Sequence, residues 1–325
     1  MSDEQASSDA SGAILAAVPN VSTGRDDATL AALRRSFAHG GAAVVDVHHD
    51  VDHDRSVFTI IGTHEQLLSG LVTGASYAIE HIDLRTHAGV HPRIGSLDVM
   101  PIVALDELDI DGAADQQAAL RLCQALAPEL GACGVPVIPY GVGTAAASTG
   151  ELRPARDAAQ RLQARVDAGD VEVAAGPSQA HPTAGMMLLG VRPVLIAFNV
   201  ELASRDLDYA QHITEMIRER NGGLPGVRSL AFPLPSRGTV QVSCNIERWQ
   251  ECGPAEVLER VADLAAVVGL DVVRAELVGL APREALHDLR IACRRNRVRL
   301  AAASEPVLEI RARLARDRQV RQEHA

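Results

Sequence analysis

Val57-Phe58-Thr59-Ile60-Ile61-Gly62-Thr63-His64-Glu65-Gln66-Leu67-Leu68-Ser69-Gly70-Leu71-Val72-Thr73-Gly74-Ala75-Ser76-Tyr77-Ala78-Ile79-Glu80-His81-Ile82 contains a change of period that decides the class of fold. Val57 to Ile61 is an apolar run of strand length, closed by Gly62. From Glu65 to Ile82 the apolar residues Leu68, Leu71, Ala75 and Ala78 recur at helical intervals. Upstream, Ala13 to Val18 reads as a strand, Pro19 to Gly24 as a turn, Arg25 to Ala38 as a helix and Ala42 to Val47 as a second strand. Downstream, residues 85–97 break the pattern with Gly89, Pro92 and Gly95, and Leu97 to Val103 returns to a strand. The reading continues with a helix over Asp115 to Leu126, with Pro128 near its end, a strand over Val135 to Tyr140 and a helix over Pro154 to Val166.

Beyond a Gly/Pro-rich loop at 176–185, the same alternation resumes. A strand is expected at Val194 to Val200, a helix at Ser204 to Glu219, and strands at Val227 to Phe232 and Val240 to Asn245. A helix at Pro254 to Val268, a strand at Asp271 to Glu276 and a helix opening at Pro282 follow. The class is α+β, with mixed sheets covered by helices mostly on one face. The expected division is a disordered lead at 1–11, one unit over 12–185, a second over 186–302 and a charged helical tail over 303–325. No sequence repeat links the two units, so any duplication is structural only.

The chain has 325 residues, of which 47% are apolar and 22% charged, ample for a packed core. Its net charge of −11 argues against nucleic acid or an anionic membrane as a partner. It contains no lysine, which removes every mechanism built on a lysine amine, including phosphate-loop and Schiff-base chemistry. The five cysteines form no C-x-x-C pair and read as reduced thiols in a cytoplasmic protein. Met1 to Ser11 is acidic, the wrong charge for a secretory leader. Met186 to Val200, the most apolar stretch, is interrupted by Arg192 and Pro193 and is too short to span a bilayer.

Four segments carry residues suited to chemistry. Asp46 to Arg55 packs three histidines and four aspartates, and strand alternation puts Asp46 and His48 on one face. Metal ligands usually converge from several elements, so no bound metal is expected, and His48 or Asp52 is expected at the mouth of a site. Arg85 to Asp98 carries His87, His91, Arg93 and Asp98 on a loop bent by two glycines and a proline, a setting for acid–base groups. Tyr140-Gly141-Val142-Gly143-Thr144-Ala145-Ala146 has the spacing of a dinucleotide fingerprint but lacks its helix and downstream acid. Gly176 to Gly185 has the composition of a cleft lip or of a linker.

Several of these segments together resemble the glutamate formiminotransferase family. The resemblance is carried by Val18-Pro19-Asn20-Val21-Ser22, Asp52 to Thr59, His87-Ala88-Gly89-Val90-His91-Pro92-Arg93-Ile94-Gly95-Ser96-Leu97-Asp98 and Gly176-Pro177-Ser178. It continues through Leu195 to Val200, Gln241 to Asn245 and Glu276 to Pro282. It implies two ferredoxin-like α/β subdomains, the first of them catalytic, with a folate cleft between them. It also implies a stand-alone form without the cyclodeaminase domain, a homodimer, and transfer of a formimino group from N-formimino-L-glutamate to N5 of tetrahydrofolate in histidine breakdown. His91 falls on the family's catalytic histidine. The folate-binding loop falls on Gly176, Pro177, Ser178, Gln179, Ala180, His181, Pro182, Thr183, Ala184 and Gly185.

By residue type, Asp98 or Asp46 would orient the His91 ring, and Arg55 and Arg93 would hold substrate carboxylates. The chain departs from the family at Thr23, usually Glu, and at Asp54, usually Asn. A subset of members has Asp where His48 stands. A formylglutamate-dependent transferase and a non-catalytic folate- or metal-binding relative remain open on the sequence.

Overall fold

In the structure, a computed structural model describing residues 14–105, 116–146, 148–152 and 158–323, the period change at Gly62 marks the passage from strand to helix. The first strand is split by Pro19 into β1 (Leu15–Ala17) and β2 (Asn20–Val21). Both pieces lie between β4 (Arg55–Gly62) and β5 (Leu97–Val103). Pairing survives the break because Val18 N–H donates to the Pro101 carbonyl (2.9 Å) and the Pro19 carbonyl accepts from Phe58 N–H (3.0 Å). Proline costs a central strand a donor, so it is tolerated here only where the strand is interrupted.

Strand β3 (Ala43–Asp50) pairs antiparallel with β4 at the free edge. Helix α1 (Asp27–Phe37) precedes β3, and α2 (His64–His81) joins β4 to β5. Asp26 caps α1, and a reciprocal Thr63–Gln66 capping box opens α2. Phe37 fits against Gly74, where an added Cβ would stand 2.1 Å from its ring. Beyond β5 the sheet extends in parallel through β7 (Met187–Val191) to β6 (Val137–Gly141). Helix α3 (Gln116–Ala132) runs through Pro128, because Leu122, Leu126 and Leu130 bury one face on either side of it.

The helices α1, α2 and α3 cover one face, packing Leu33, Phe37, Leu71, Ala75, Leu122 and Leu126 on Leu15, Phe58, Ile60 and Ile102. Cover is mostly on that face, and the short α4 (Thr149–Leu152) and α5 (Ala158–Asp167) lie over the other at its parallel end. There Leu152, Ala158 and Leu162 pack on Val99, Ile138, Tyr140 and Leu188.

Residues 194–311 form a second compact unit, residues 1–193 and 312–325 the first. The second contains β8 (Ile196–Leu202), α6 (Leu207–Ile217), β9 (Val227–Leu234), β10 (Thr239–Ile246), α7 (Pro254–Val267) and β11 (Val272–Val278). Its sheet runs β11-β8-β10-β9, fourth-first-third-second in chain order, as β5-β1/β2-β4-β3 does in the first unit. This is the ferredoxin-like split βαβ arrangement twice over, the structural duplication without sequence repeat. Each unit adds parallel strands to its last: β6 and β7 in the first, and β12 (Arg299–Ala301), after α8 (Arg283–Arg295), in the second.

Strands β7 and β12 do not stand out in the sequence. Gly190 and the Arg192-Pro193 break inside one apolar run hide the first, and three residues give the second no period. The tail becomes α9 (Leu308–Glu323), its start fixed by Ala281 N–H on the Pro306 carbonyl and Leu308 N–H on the Ala281 carbonyl, both 2.9 Å. The expected lead at 1–11 and the start of the helix expected from Pro154 lie outside the described residues.

Gly74→Val places two methyls against the Phe37 ring and is expected to destabilise the first unit by about 1–3 kcal/mol. Urea unfolding of the whole chain reads this as a lower midpoint for the transition that buries Phe37.

Candidate active site

Register decides which side chains share the helix-free part of the first sheet. Asn20 pairs with Val57 and Val99, Asp46 with Thr59, His48 with Val57, and Asp50 with Arg55. Directly opposed residues project to one face. That face therefore carries Asn20, Asp46, His48, Asp50, Arg55 and Thr59, while Phe58 and Ile60 point to the helices. Asp46 and His48 share a face, as alternation requires.

The floor is a buried ion pair. Arg55 Nη1 donates to Asp98 Oδ2 at 2.7 Å and Nη2 to Asn20 Oδ1 at 2.9 Å, with the Asp98 side chain fully buried. Asp98 Oδ1 accepts from Ile94 N–H at 2.7 Å, so the same carboxylate holds the end of the 85–97 loop. Arg55 is thereby committed to the protein rather than opened to a substrate carboxylate. Asp98 thus serves both the loop backbone and Arg55.

The four-residue turn between β3 and β4 gives the loop its shape. Asp50 Oδ1 accepts from the backbone N–H groups of Asp52 (2.8 Å) and His53 (2.9 Å). Asp54 takes a left-handed φ of +46°, which Asp tolerates, with Oδ1 accepting from Gly24 N–H at 2.9 Å. Much of the apparent metal-ligand cluster is thus turn chemistry. Among the described residues no group of three or more His, Cys, Asp or Glu side chains is placed to hold a metal ion.

The 85–97 loop is docked onto that turn. Val90 N–H donates to the Asp52 carbonyl at 3.0 Å, and a Cβ on Gly89 would stand 2.0 Å from the His53 carbonyl oxygen. Only glycine permits that approach. On its other side the loop meets the 176–185 segment. Leu84 N–H reaches the Thr183 carbonyl (2.9 Å), Ser96 N–H the Ala184 carbonyl (2.8 Å) and Met186 N–H the Ile94 carbonyl (2.9 Å). The His181 ring accepts from Ala184 N–H at 3.1 Å, and Gln163 of α5 pins Ser178 and Ala180. Pro177, Ser178 and Gln179 remain exposed beside the loop.

Two histidines four residues apart are held in opposite tautomers. His87 Nδ1 accepts from Gly89 N–H (3.1 Å), so Nε2 carries the proton that it donates to the Asp54 carbonyl (2.8 Å). Burial, and then the Arg93 charge, lower its pKa below the ordinary value. His91 Nδ1 lies 2.7 Å from the Pro92 carbonyl, which can only accept. Its proton is therefore on Nδ1, and Nε2 is the basic nitrogen of the ring. The His91 ring is half-buried and lies edge-to-face with His53, ring centres 5.7 Å apart. Arg93 Nη2 donates to the carbonyls of Gly89 and His91, the latter at 2.9 Å, while its Nε and Nη1 have no bond to a described residue.

Sequence reasoning missed Asn20 and His53 as site residues. Asn20 carried a signal as the polar residue after Pro19 in a central strand. His53 was legible only as one histidine in a polar run, since its place beside His91 is made by the loop's return.

A model of the formiminotransferase domain, N-terminal subdomain, matches residues 14–192, and one of the formiminotransferase domain matches 197–297. A glutamate formimidoyltransferase of Streptococcus pyogenes serotype M1 is 30% identical over 85% of this chain and 91% of its own. One from Thermoplasma acidophilum is 31% identical over 84% and 89%. A formimidoyltransferase-cyclodeaminase of Sus scrofa is 32% identical over 83% of this chain but 50% of its own length.

Asp98→Ala takes the carboxylate away from the buried Arg55 charge. It is expected to cost about 3–5 kcal/mol of stability by denaturant titration. His87 sets a pH dependence. The unfolded chain binds a proton near pH ~6.5 that the folded His87 resists, so its contribution is complete above that pH and is lost as pH falls below it. The melting temperature should fall between about pH 7 and 5, and more shallowly in His87→Gln.

Proposed function

The chain belongs to the formiminotransferase family, and from that membership we propose that it transfers the formimino group of N-formimino-L-glutamate to N5 of tetrahydrofolate, with His91 as the acid–base group. The observation that carries the mechanism is the His91 Nδ1–H bond to the Pro92 carbonyl, which makes Nε2 the nitrogen that takes a proton. The donor's protonated amidine carbon is electrophilic. As folate N5 attacks it, a new carbon–nitrogen bond forms, the C=N π pair moves onto the imino nitrogen, and Nε2 removes the N5 proton. The His91 imidazolium then protonates the glutamate nitrogen. The bond from that nitrogen to carbon breaks, the C=N bond re-forms, and glutamate leaves as the amine. One proton cycles through one ring, serving both halves of the reaction. The Pro92 carbonyl accepts from Nδ1–H throughout and stabilises the charged form.

Arg93 is the carboxylate anchor in this reading, because its Nε and Nη1 are not used by the loop. The edge from Gly176 to Gln179, held to the His91 loop through Thr183 and Ala184, is the folate-facing segment. Asp46 and His48 line the same open face at its β3 edge. Tetrahydrofolate is a co-substrate here. The homodimer and cytoplasmic setting expected from the sequence belong to the same proposal. The names of the relatives favour a formimino over a formyl donor.

Purified protein with tetrahydrofolate and formiminoglutamate should yield, after acidification, the absorbance of methenyl-tetrahydrofolate, and formylglutamate should yield none. His91→Ala should lower kcat by about 10²–10⁴-fold while folate still binds by calorimetry. Product from formylglutamate alone, or undiminished turnover in His91→Ala, would overturn the assignment.

A further inference from the structure

We propose that His53 is a positioning residue for His91, holding its imidazole in the orientation that the acid–base step uses. This rests on the reading of His91 given above. The bond from His91 Nδ1 to the Pro92 carbonyl fixes one point of the ring. His53 adds a contact against the ring itself, with ring centres 5.7 Å apart and planes at 66°, within the range of edge-to-face aromatic pairs.

His53 is itself immobilised, as a buttress must be. The residue is 7% exposed, and its backbone N–H is held by Asp50 Oδ1 at 2.9 Å. Its carbonyl faces Gly89 at a separation that excludes any side chain there. The residues on either side are tied to the same loop, Asp52 through Val90 and Asp54 through His87. Turn and loop therefore move as one body, and the two rings are set against each other by the backbone contacts around them. The contribution is geometric: ring against ring, with no proton passing through His53.

Three variants of the full chain separate this from a general effect on folding. His53→Leu fills the volume without a ring, His53→Gln keeps polarity without a ring, and His53→Phe keeps a ring that cannot titrate. Expected are losses in kcat of about 10–100-fold for Leu and Gln, with KM for both substrates unchanged within about twofold. His53→Phe should restore kcat to within about threefold of the native value, with the same pH profile. Thermal melting restricts the comparison to variants that fold. Native kcat in either ringless variant, or a Phe variant as slow as they are, overturns the proposal. If His91→Ala is inactive and His53→Leu is native in rate, only the role of His53 fails. If His91→Ala turns over normally, the reading of the site fails with it.

Discussion

The ion pair between Arg55 and Asp98 joins three strands and the loop that carries His91. Arg55 stands on β4, Asp98 on β5 and Asn20 on the interrupted central strand, and the remaining Asp98 oxygen takes the Ile94 N–H. Charges this deeply buried cost much to desolvate, and they are retained where every lone pair and proton is used. Here the return is positional: the loop leaves β5 at one fixed point. Once that end is fixed, Gly89 can close onto the β3–β4 turn, and the ladder through Thr183, Ala184 and Met186 can close on the other side.

The consequence is a division of labour within one short motif. His87 is buried, kept neutral and spends both ring nitrogens on backbone groups, so it fastens the loop. His91 commits its ring proton to its neighbour's carbonyl, which leaves Nε2 as the basic nitrogen of the ring and suits it to the acid–base role proposed above. Arg93 satisfies two loop carbonyls with a single nitrogen and keeps the rest of its guanidinium. Residues that look equivalent in the sequence thus separate according to which backbone groups the fold presents to them.

Much of this was legible in the residues. The change of period at Gly62 placed β4 and α2, and the alternation across Asp46 and His48 placed both on the open face. The density of Gly, Pro and His in 85–97 marked the loop, and the wider set of motifs carried the family resemblance. What was not legible depended on long-range partners. Arg55 reads as a substrate-holding cation in sequence, and only the return of β5, more than forty residues later, turns it inward onto Asp98. The Asp- and His-rich run carries ligand-type residues, and the backbone bonds by which Asp50 shapes the turn and Asp54 holds Gly24 leave no periodic trace in it. His53 acquires its neighbour through the same long-range closure. The strand at Met187–Val191 was hidden because it is apolar on both faces and merges with the run that follows.

The fold delivers His91 with its proton on Nδ1 and with Nε2 as the basic nitrogen of the ring. Nitrogen-15 NMR of histidine-labelled protein, with His91 assigned by its absence from His91→Ala, reads this directly through the shifts of the two ring nitrogens above the titration range. Expected are a protonated Nδ1 and an unprotonated Nε2 for His91, with the reverse pattern for His87. A His91 ring protonated on Nε2, or exchanging between the two forms, would contradict it.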